Sequence, residues 1–330
     1  MTDHEGLTAK KIQETANAFK ESRVLLTAIE LGIFTILNKR RLSSEDIAAE
    51  LDVSIKGIDR LLNVLTGMGY LFKRNGKFIN HPDISDILVK GEENYLGNLH
   101  HTATLWDRWS TLTESVRTGT AVFKKAINER GNDWLEAFIA AMHHRGVGQA
   151  KVLSMLIDLS NVKKMLDVGG GSGAFSMGFI AANKDIKAVL FDLPNVIPIS
   201  RKYVLDASLI DNFSFIEGDY LSDDFGNGYD LILLSAIVHI NTNEENALLI
   251  KKCAKVLNKG GQIVINDHIM DEDRVKPETG AMFALNMLVS TTGGDTFTKS
   301  EMTNWLNDAG ITDIELLKTS YNSDILIGKK

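Results

Sequence analysis

A cluster of four glycines follows a short apolar run in the segment KMLDVGGGSGAFSMGFIAANKDIKAVLFD, residues 164–192. Glycines in this position let the backbone turn sharply and let a ligand lie against the main chain. Asp192 closes the next apolar run, about 20 residues after the glycines, where a carboxylate can accept hydrogen bonds from both hydroxyls of a ribose. The segment therefore predicts a βαβ unit that binds a nucleoside.

The residue that distinguishes between two nucleoside cofactors is Asp167, at the end of the first strand. Gly169, Gly171 and Ala174 also match the spacing of dinucleotide-binding turns. A pyrophosphate, however, is repelled by a nearby anion, whereas the ammonium and sulfonium groups of S-adenosylmethionine are attracted by it. The alternative role of Asp167 is to accept N–H bonds from the glycine turn. The pattern favours S-adenosylmethionine over a dinucleotide.

A histidine and a carboxylate follow two neighbouring predicted strands. His239 stands just after the apolar run DLILLSAIV, and Asp267 lies 28 positions later, at the end of GQIVIN. Because the carboxyl ends of parallel strands share one edge of a sheet, with neighbouring strands about 4.8 Å apart, the carboxylate can reach the imidazole. Such a pair can act as a general base whose tautomer the carboxylate holds. A solvated surface histidine is the alternative.

Alternating apolar strands and amphipathic helices from Lys164 onward indicate a mostly parallel sheet covered on both faces. Too few residues join the last two strands for a helical crossover, so these strands must form an antiparallel hairpin. The predicted fold is α/β, a Rossmann-like seven-stranded sheet with a closing hairpin. The predicted helices are 173–183, 195–206, 244–257 and 298–308, and the predicted strands are 164–168, 187–191, 213–216, 230–235, 261–266, 312–318 and 323–328.

Residues 1–95 predict a mainly helical domain of the winged helix-turn-helix type. Ser43 or Ser44 can cap the first helix of this motif, and the second helix is rich in leucine and valine. The Asn75-Gly76 pair is the typical turn of a β-hairpin, which would form the wing. An apolar second helix suits packing against another helix, so an oligomerisation module is predicted.

Charge and composition exclude several classes of protein. Residues 1–90 contain 13 Lys and Arg against 12 Asp and Glu, and the chain carries a net charge of −7. DNA binding requires several cations to displace counterions from phosphate, so no nucleic-acid partner is expected. No apolar stretch reaches the ~18–20 residues of a membrane span, and the N-terminal residues lack the apolar block of a secretory signal. With Cys253 as its single cysteine, the chain is expected in the reducing cytoplasm.

Residues 96–160 are predicted to form a helical layer between the winged helix and the sheet domain of residues 161–330. Trp106 belongs to a set of aromatic residues whose spacing is typical of a core. A helical layer between two domains also commonly lines a cleft, which makes Trp106 and His143 candidates for substrate contact. His143 and His144 lack the spacing to cysteines or acids that a metal site needs, so no metal is predicted.

Taken together, four motifs identify a resemblance to a known family. Their order resembles that of class I S-adenosylmethionine-dependent methyltransferases. The four motifs are LDVGGGSG (166–173), FDLPNV (191–196), EGDY (217–220) and His239 at a strand end. The closest likeness is to the dimeric small-molecule O-methyltransferases, and it covers essentially the whole chain. The resemblance implies a homodimer that transfers a methyl group from S-adenosylmethionine to a hydroxyl of a small, aromatic or polycyclic, molecule.

The resemblance also implies roles for individual residues. His239 corresponds to the general base, and Asp267 takes the place of a glutamate that holds it. Met142 resembles a methionine that packs on substrate, and Trp106 and His143 are further candidates for substrate contact. The implied cofactor contacts are Asp167, Gly169 and Gly171 at the glycine turn, Asp192 and Leu193 at the ribose, Asp219 and Tyr220 at the adenine, and Ser235 near the adenine.

Three departures from the family pattern leave other functions open. Ser235 stands where the family often has a lysine, Ile240 and Asn241 replace an Asp-Trp pair, and Thr296 replaces a second glutamate near the base. Family members with altered bases include carbon methyltransferases and proteins that no longer transfer methyl groups. An N-methyltransferase, a ligand-responsive winged-helix regulator and an NAD-dependent oxidoreductase are the remaining alternatives.

Overall fold

The computed structural model describes residues 8–123 and 131–330, and the chain divides into two compact units after Leu105. The three-part division at residues 95 and 160 remains a prediction. Within the described residues, no helix combines the length and the apolar character that crossing a membrane requires. The same residues contain no cluster of three or more histidine, cysteine or acidic side chains that could hold a metal ion.

The first unit is mainly helical and contains the predicted winged-helix motif. Ser43, not Ser44, caps the first helix of the motif in a reciprocal capping box with Asp46. Leu62 and Phe78 are fully buried in its core, so the apolar face of the second helix packs within this unit. The elements are α1 (Ala9–Asn17), α2 (Phe19–Glu30), α3 (Ile33–Ile36), β1 (Leu42–Ser43), α4 (Ser44–Leu51), α5 (Ile55–Gly67), β2 (Leu71–Arg74), β3 (Lys77–Asn80) and α6 (Ser85–Leu88); α7 (Asn98–Trp109) follows.

The second unit is an α/β domain whose strands and helices match the predicted ones to within a few residues. Its elements are α8 (Leu112–Thr118), α9 (Asn132–Leu156), β4 (Lys164–Val168), α10 (Ala174–Ala182), β5 (Lys187–Asp192), α11 (Ile197–Asp206), β6 (Phe213–Glu217), β7 (Tyr229–Ser235), α12 (Asn243–Val256), β8 (Leu257–Asp267), β9 (Ile269–Met270), α13 (Glu278–Ser290), β10 (Phe297–Thr298), α14 (Lys299–Asp308), β11 (Thr312–Leu317) and β12 (Asp324–Lys329).

The seven-stranded sheet has the order β11-β12-β8-β7-β4-β5-β6, which confirms the predicted fold class. Strand β12 runs antiparallel to both β11 and β8, and the other neighbours are parallel. The chain leaves β4 for β5 on one side and reaches β7 on the other, so the strand order reverses at β4. Ligands of open α/β sheets bind at the carboxyl edge beside such a reversal.

Alternating residues of the sheet supply two apolar cores. Leu166 and Ile232 face one core, whereas their neighbours Met165 and Leu231 face the other, and all four are fully buried. Because both faces are covered, ligands can approach the domain only at the ends of the strands.

The sequence analysis did not predict α13 or the short parallel pair of β9 and β10. The run GAMFALNMLVS in α13 is apolar on most sides, so it lacks the one-sided periodicity that marks an amphipathic helix. The two-residue strands are too short to leave a pattern. These elements matter, because α13 contributes an aromatic ring beside His239.

Candidate active site

The glycine turn after β4 is built from main-chain contacts. The N–H of Gly169 donates to the carbonyl of Phe191 at 2.7 Å, and that of Gly171 donates to Asp192 Oδ2 at 2.8 Å. Gly169 and Gly171 adopt φ values of +64° and +54°, in the left-handed region that favours glycine. The turn is thereby tied to the end of β5, and it leaves backbone rather than side chains at the edge of the sheet.

Gly169 cannot carry a side chain without a local shift. A Cβ atom there would lie 2.3 Å from Ile237 Cδ1, and the left-handed backbone adds about 1–2 kcal/mol for any other residue. We expect Gly169→Ala to lower the melting temperature by several degrees and to weaken binding of S-adenosylhomocysteine. Gly310→Ala is the matched control, because Gly310 has φ +76° but open space around it. Equal cofactor affinity in the two variants would show that the close approach at Gly169 is unimportant.

Asp192 lies at the tip of β5 as predicted, and its carboxylate is partly buried. Oδ2 accepts from Gly171 and Oδ1 accepts from the N–H of Leu193 at 2.8 Å. A carboxylate has about four lone-pair positions, so two remain for donors such as the hydroxyls of a ribose. Burial raises the pKa of Asp192 to about 6, although the two N–H groups that donate to the carboxylate lower it. The residues present thus fit the ribose of a nucleoside cofactor.

Asp167 lies beneath the glycine turn rather than at its surface. Its side chain is 1% exposed, and Oδ2 accepts a hydrogen bond from the hydroxyl of Ser176 at 2.6 Å. A Cβ on Gly170 would come within 2.9 Å of its Cγ, so the carboxylate packs directly against the turn. Burial, together with the charge of Asp192, raises the pKa of Asp167 to about 7. A cationic ligand on the turn would relieve this accumulation of negative charge.

The ionisation of Asp192 predicts how cofactor binding depends on pH. The free protein protonates this carboxyl as the pH falls through about 6, and a protonated carboxyl offers fewer acceptor sites to a ribose. We expect the dissociation constant of S-adenosylhomocysteine to rise as the pH falls through 7 and then 6, where Asp167 and Asp192 in turn take up protons, by up to about tenfold per unit below pH 6. Calorimetric titrations from pH 5 to 8 measure this dependence. A flat profile would contradict it.

The side chains predicted to contact adenine stand on the next loop. Asp219 is exposed, and its Oδ1 accepts from the N–H of Leu221 at 2.9 Å. Tyr220 is partly buried and donates its hydroxyl to Asn241 Oδ1 at 2.8 Å. Burial, with the charge of Asp219, raises the pKa of Tyr220. Ser235 closes β7, where its Oγ accepts from Asn266 Nδ2 at 2.9 Å rather than standing free.

His239 and Asp267 form the pair that their strand positions predict. His239 Nδ1 lies 2.8 Å from Asp267 Oδ1 and 3.0 Å from Oδ2. The imidazole is 13% exposed, whereas the carboxylate is 1% exposed. Burial alone would raise the pKa of Asp267, but the charge and hydrogen bond of His239 and the N–H of His268 outweigh it, so the pKa lies below its usual value. The carboxylate therefore stays ionised beside the ring.

The turn that carries His239 is held on several sides. The carbonyl of Val238 accepts from Asn246 Nδ2 at 2.8 Å, and the carbonyl of His239 accepts from the N–H of Asp295 at 3.1 Å. A Cβ on Gly294 would lie 2.4 Å from that carbonyl, so only glycine fits there. Thr296, which replaces the second glutamate of the family, is buried and brings no carboxylate to the ring. The His239 side chain and its turn are therefore held by Asp267 and by main-chain contacts.

Two aromatic side chains near His239, those of Phe283 and His268, were not predicted from the sequence. The ring of Phe283, on α13, meets the imidazole edge to face, with centroids 4.9 Å apart. The same phenyl ring stacks on His268, with centroids 4.2 Å apart. His268 follows Asp267 directly and could have been noticed, whereas nothing in the apolar run around Phe283 marks that residue.

The structure places the predicted substrate residues in different surroundings. His143 Nδ1 lies 2.9 Å from the hydroxyl of Ser172 in the glycine turn, and its ring stacks on Tyr203. Burial, with the charge of His144, lowers the pKa of His143. Met142 on α9 and Trp106 on α7 are both partly buried. Contact of His143, Met142 and Trp106 with substrate remains a prediction.

Comparison with known proteins defines the class. The O-methyltransferase domain family matches residues 109–312, and the O-methyltransferase dimerisation domain matches residues 13–91. The chain therefore belongs to the O-methyltransferase family. It is a methyltransferase that uses S-adenosylmethionine, which confirms the predicted family, enzyme class and cofactor.

Individual relatives cover nearly the whole chain. 3-Hydroxy-5-methyl-1-naphthoate 3-O-methyltransferase of Streptomyces sahachiroi is 27% identical over 93% of this chain and 90% of its own. Acetylserotonin O-methyltransferase of Gallus gallus is 28% identical over 97% and 96%. The human N-acetylserotonin methyltransferase structure with SAM has a TM-score of 0.84 at 26% identity, covering 100% and 99%. PigF with SAH has a TM-score of 0.90 at 25% identity, covering 98% and 100%.

Proposed function

We propose that this protein methylates a hydroxyl group of a small aromatic or polycyclic metabolite, with His239 as the general base and Asp267 as the residue that orients it. The observation that carries the proposal is the 2.8 Å contact between His239 Nδ1 and Asp267 Oδ1 at the sheet edge that also holds the glycine turn. The acceptors named for the relatives, a hydroxynaphthoate, a tetracenomycin polyketide and an acetylserotonin, support an aromatic acceptor.

The buried carboxylate of Asp267 determines what the histidine can do. It accepts the Nδ1–H bond, which leaves the Nε2 lone pair of His239 to take a proton. A phenol has a pKa near 10, so at neutral pH its hydroxyl must lose a proton to become a strong nucleophile. Nε2 of His239 would take that proton as the acceptor oxygen becomes the nucleophile for the methyl group that S-adenosylmethionine would supply, with S-adenosylhomocysteine as the leaving product. Asp267 then stabilises the imidazolium.

The glycine turn and its acids hold the methyl donor. S-adenosylmethionine supplies a methyl group on a positively charged sulfur. Asp192 and Leu193 would hold its ribose, Asp219, Tyr220 and Ser235 would face its adenine, and the field of Asp167 beneath Gly169 and Gly171 would favour its cationic end. Correct placement of two reactants lowers the barrier by up to about 7–11 kcal/mol. A general base contributes about 10²–10⁴-fold in rate, which is about 3–5 kcal/mol. Positioning therefore contributes most of the acceleration.

The assembly and location proposed for the chain follow from its first unit and its composition. The dimerisation domain supports a homodimer, which light scattering at micromolar concentration would test against a monomeric mass. The single cysteine supports a cytoplasmic location, and the net charge of −7 supports a partner other than nucleic acid. We also propose the division into residues 1–95, 96–160 and 161–330.

A panel of phenols, naphthols and their carboxylates tests the activity. Release of S-adenosylhomocysteine and a new O-methyl signal in the product would support the proposal. A new C-methyl signal would instead indicate carbon methylation, as the 27% identical L-tyrosine C(3)-methyltransferase of Streptomyces lavendulae suggests. Tight cofactor binding without turnover on any acceptor would indicate a member that has lost methyl transfer.

A further inference from the structure

Three buried polar atoms without a hydrogen-bond partner belong to residues at or just beyond the paired ends of β8 and β12, at the carboxyl edge of β8. They are Asn266 Oδ1, His268 Nδ1 and Ser323 Oγ, and the three residues are 3%, 7% and 7% exposed. An atom left unpaired in this way loses its hydration without gaining a protein partner, so native structures rarely tolerate it. Three in one place indicate a missing partner.

Strand register places the three side chains on one face. Asn266 and His268 are two residues apart along β8 and its continuation, so both point to the same side of the sheet. Strand β12 pairs Ile325 with Asn266 and Asp324 with Asp267, and the next step of this register sets Ser323 opposite His268. Directly opposed residues have Cβ atoms about 4.5–5.5 Å apart. The three atoms can therefore be reached by one small group.

This cluster adjoins the catalytic pair. The N–H of His268 donates to Asp267 Oδ1 at 2.8 Å, and the His268 ring stacks on Phe283, which in turn meets His239. Asn266 donates its amide to Ser235 at the end of β7. One phenyl ring, that of Phe283, therefore contacts both His239 and a member of the cluster.

Resting on the proposed function, we propose that Asn266, His268 and Ser323 form a subsite for a second polar substituent of the methyl acceptor, a neutral hydroxyl or amide. The oxygen of Asn266 can only accept a hydrogen bond, so the substituent must donate one, which a carboxylate cannot do. A serine hydroxyl can donate in return. A hydroxyl or an amide combines the donor and the acceptor that these side chains need.

The charges around His268 favour a neutral substituent over an ammonium group. Burial lowers the pKa of His268, the charges of His239 and Arg145 lower it further, and Asp267 and the main chain of Asn322 oppose them. The imidazole ring of His268 is therefore uncharged near neutral pH, and one of its nitrogens keeps a lone pair. A cationic substituent would meet the guanidinium of Arg145 nearby.

Binding to the full-length protein saturated with S-adenosylhomocysteine tests the subsite. The probes are 2-naphthol, its 3-, 6- and 7-hydroxy derivatives, and 6-hydroxy-2-naphthamide. We expect at least one donor-bearing probe to bind about tenfold or more tightly than 2-naphthol, since one satisfied buried hydrogen bond is worth about that factor. His268→Phe, which keeps the stack on Phe283, and Ser323→Ala should each reduce this ratio several-fold. Thr303→Val, which removes an unpaired buried hydroxyl on α14, should leave it unchanged.

Several results would overturn the subsite. The subsite is excluded if 2-naphthol and every donor-bearing probe bind equally, or if no probe binds. It is also excluded if the tighter binding of a donor-bearing probe survives in both His268→Phe and Ser323→Ala. Ser323→Ala should also melt no lower than wild type, because it removes an unpaired polar atom; a lower melting temperature would indicate a structural water instead. If 2-naphthol is methylated but no donor-bearing probe binds more tightly than it, the proposed function stands and the subsite falls. If a donor-bearing probe binds more tightly but no probe is methylated, the subsite stands and the proposed function falls.

Discussion

His239→Asn is expected to lower kcat for methyl transfer by about 10²–10⁴-fold while leaving affinity for S-adenosylhomocysteine nearly unchanged. Asparagine can still donate a hydrogen bond to Asp267, so the turn should keep its shape, but it has no lone pair able to take the proton. The loss should therefore appear in kcat rather than in cofactor binding. Steady-state kinetics with the best acceptor of the panel, together with calorimetry, measure the two quantities separately.

His144→Asn is the matched control for this variant. His144 is an exposed histidine on α9, outside the catalytic pair, so its replacement should leave kcat near that of wild type. Undiminished kcat in His239→Asn would exclude His239 as the base. A parallel loss of cofactor affinity would instead indicate that the turn after β7 had collapsed.

Asp192→Ala is expected to raise the dissociation constant of S-adenosylhomocysteine by about 10²–10⁴-fold. Two ribose hydroxyls bonded to a carboxylate contribute about 1.5–3 kcal/mol each, and every 1.4 kcal/mol is a factor of ten. The change also removes the acceptors for the N–H groups of Gly171 and Leu193, so the glycine turn loses one of its ties to β5. Both effects weaken binding.

Asp185→Ala separates this effect from a general loss of negative charge. Asp185 precedes β5 and pairs on the surface with Lys163, 2.6 Å away, an interaction of small energetic value. We expect its cofactor affinity to match wild type. Cofactor affinity in Asp192→Ala equal to that in Asp185→Ala would remove Asp192 from the binding site.

The features that can be predicted from this sequence are those that a short-range pattern determines. The glycine turn, Asp192 and the His239–Asp267 pair follow from one rule, that parallel strands present their carboxyl ends at a common edge. The closing hairpin follows from the short connection before β12. Each of these features depends on a few neighbouring residues, so the chain itself displays them.

Side-chain surroundings set by distant contacts were not predictable. The fold places the Asp167 carboxylate under the turn, where it is bonded to Ser176 of α10, and that burial could not be predicted from the local pattern; its effect on the ligand stays a prediction. Phe283 reaches His239 from a helix that begins 39 residues later. The contact of His143 with Ser172 likewise joins two segments whose separation in sequence carries no signal.

The most direct test of the base is a series of acceptors whose phenol pKa falls from about 10 to below 7 by nitro substitution. We predict that the ratio of wild-type to His239→Asn turnover, measured at pH 7.5, falls from about 10²–10⁴ for the least acidic acceptor to nearly 1 for the most acidic one, because an ionised phenol needs no base. The same large ratio across the whole series would contradict proton removal by His239 and reduce that residue to a positioning role.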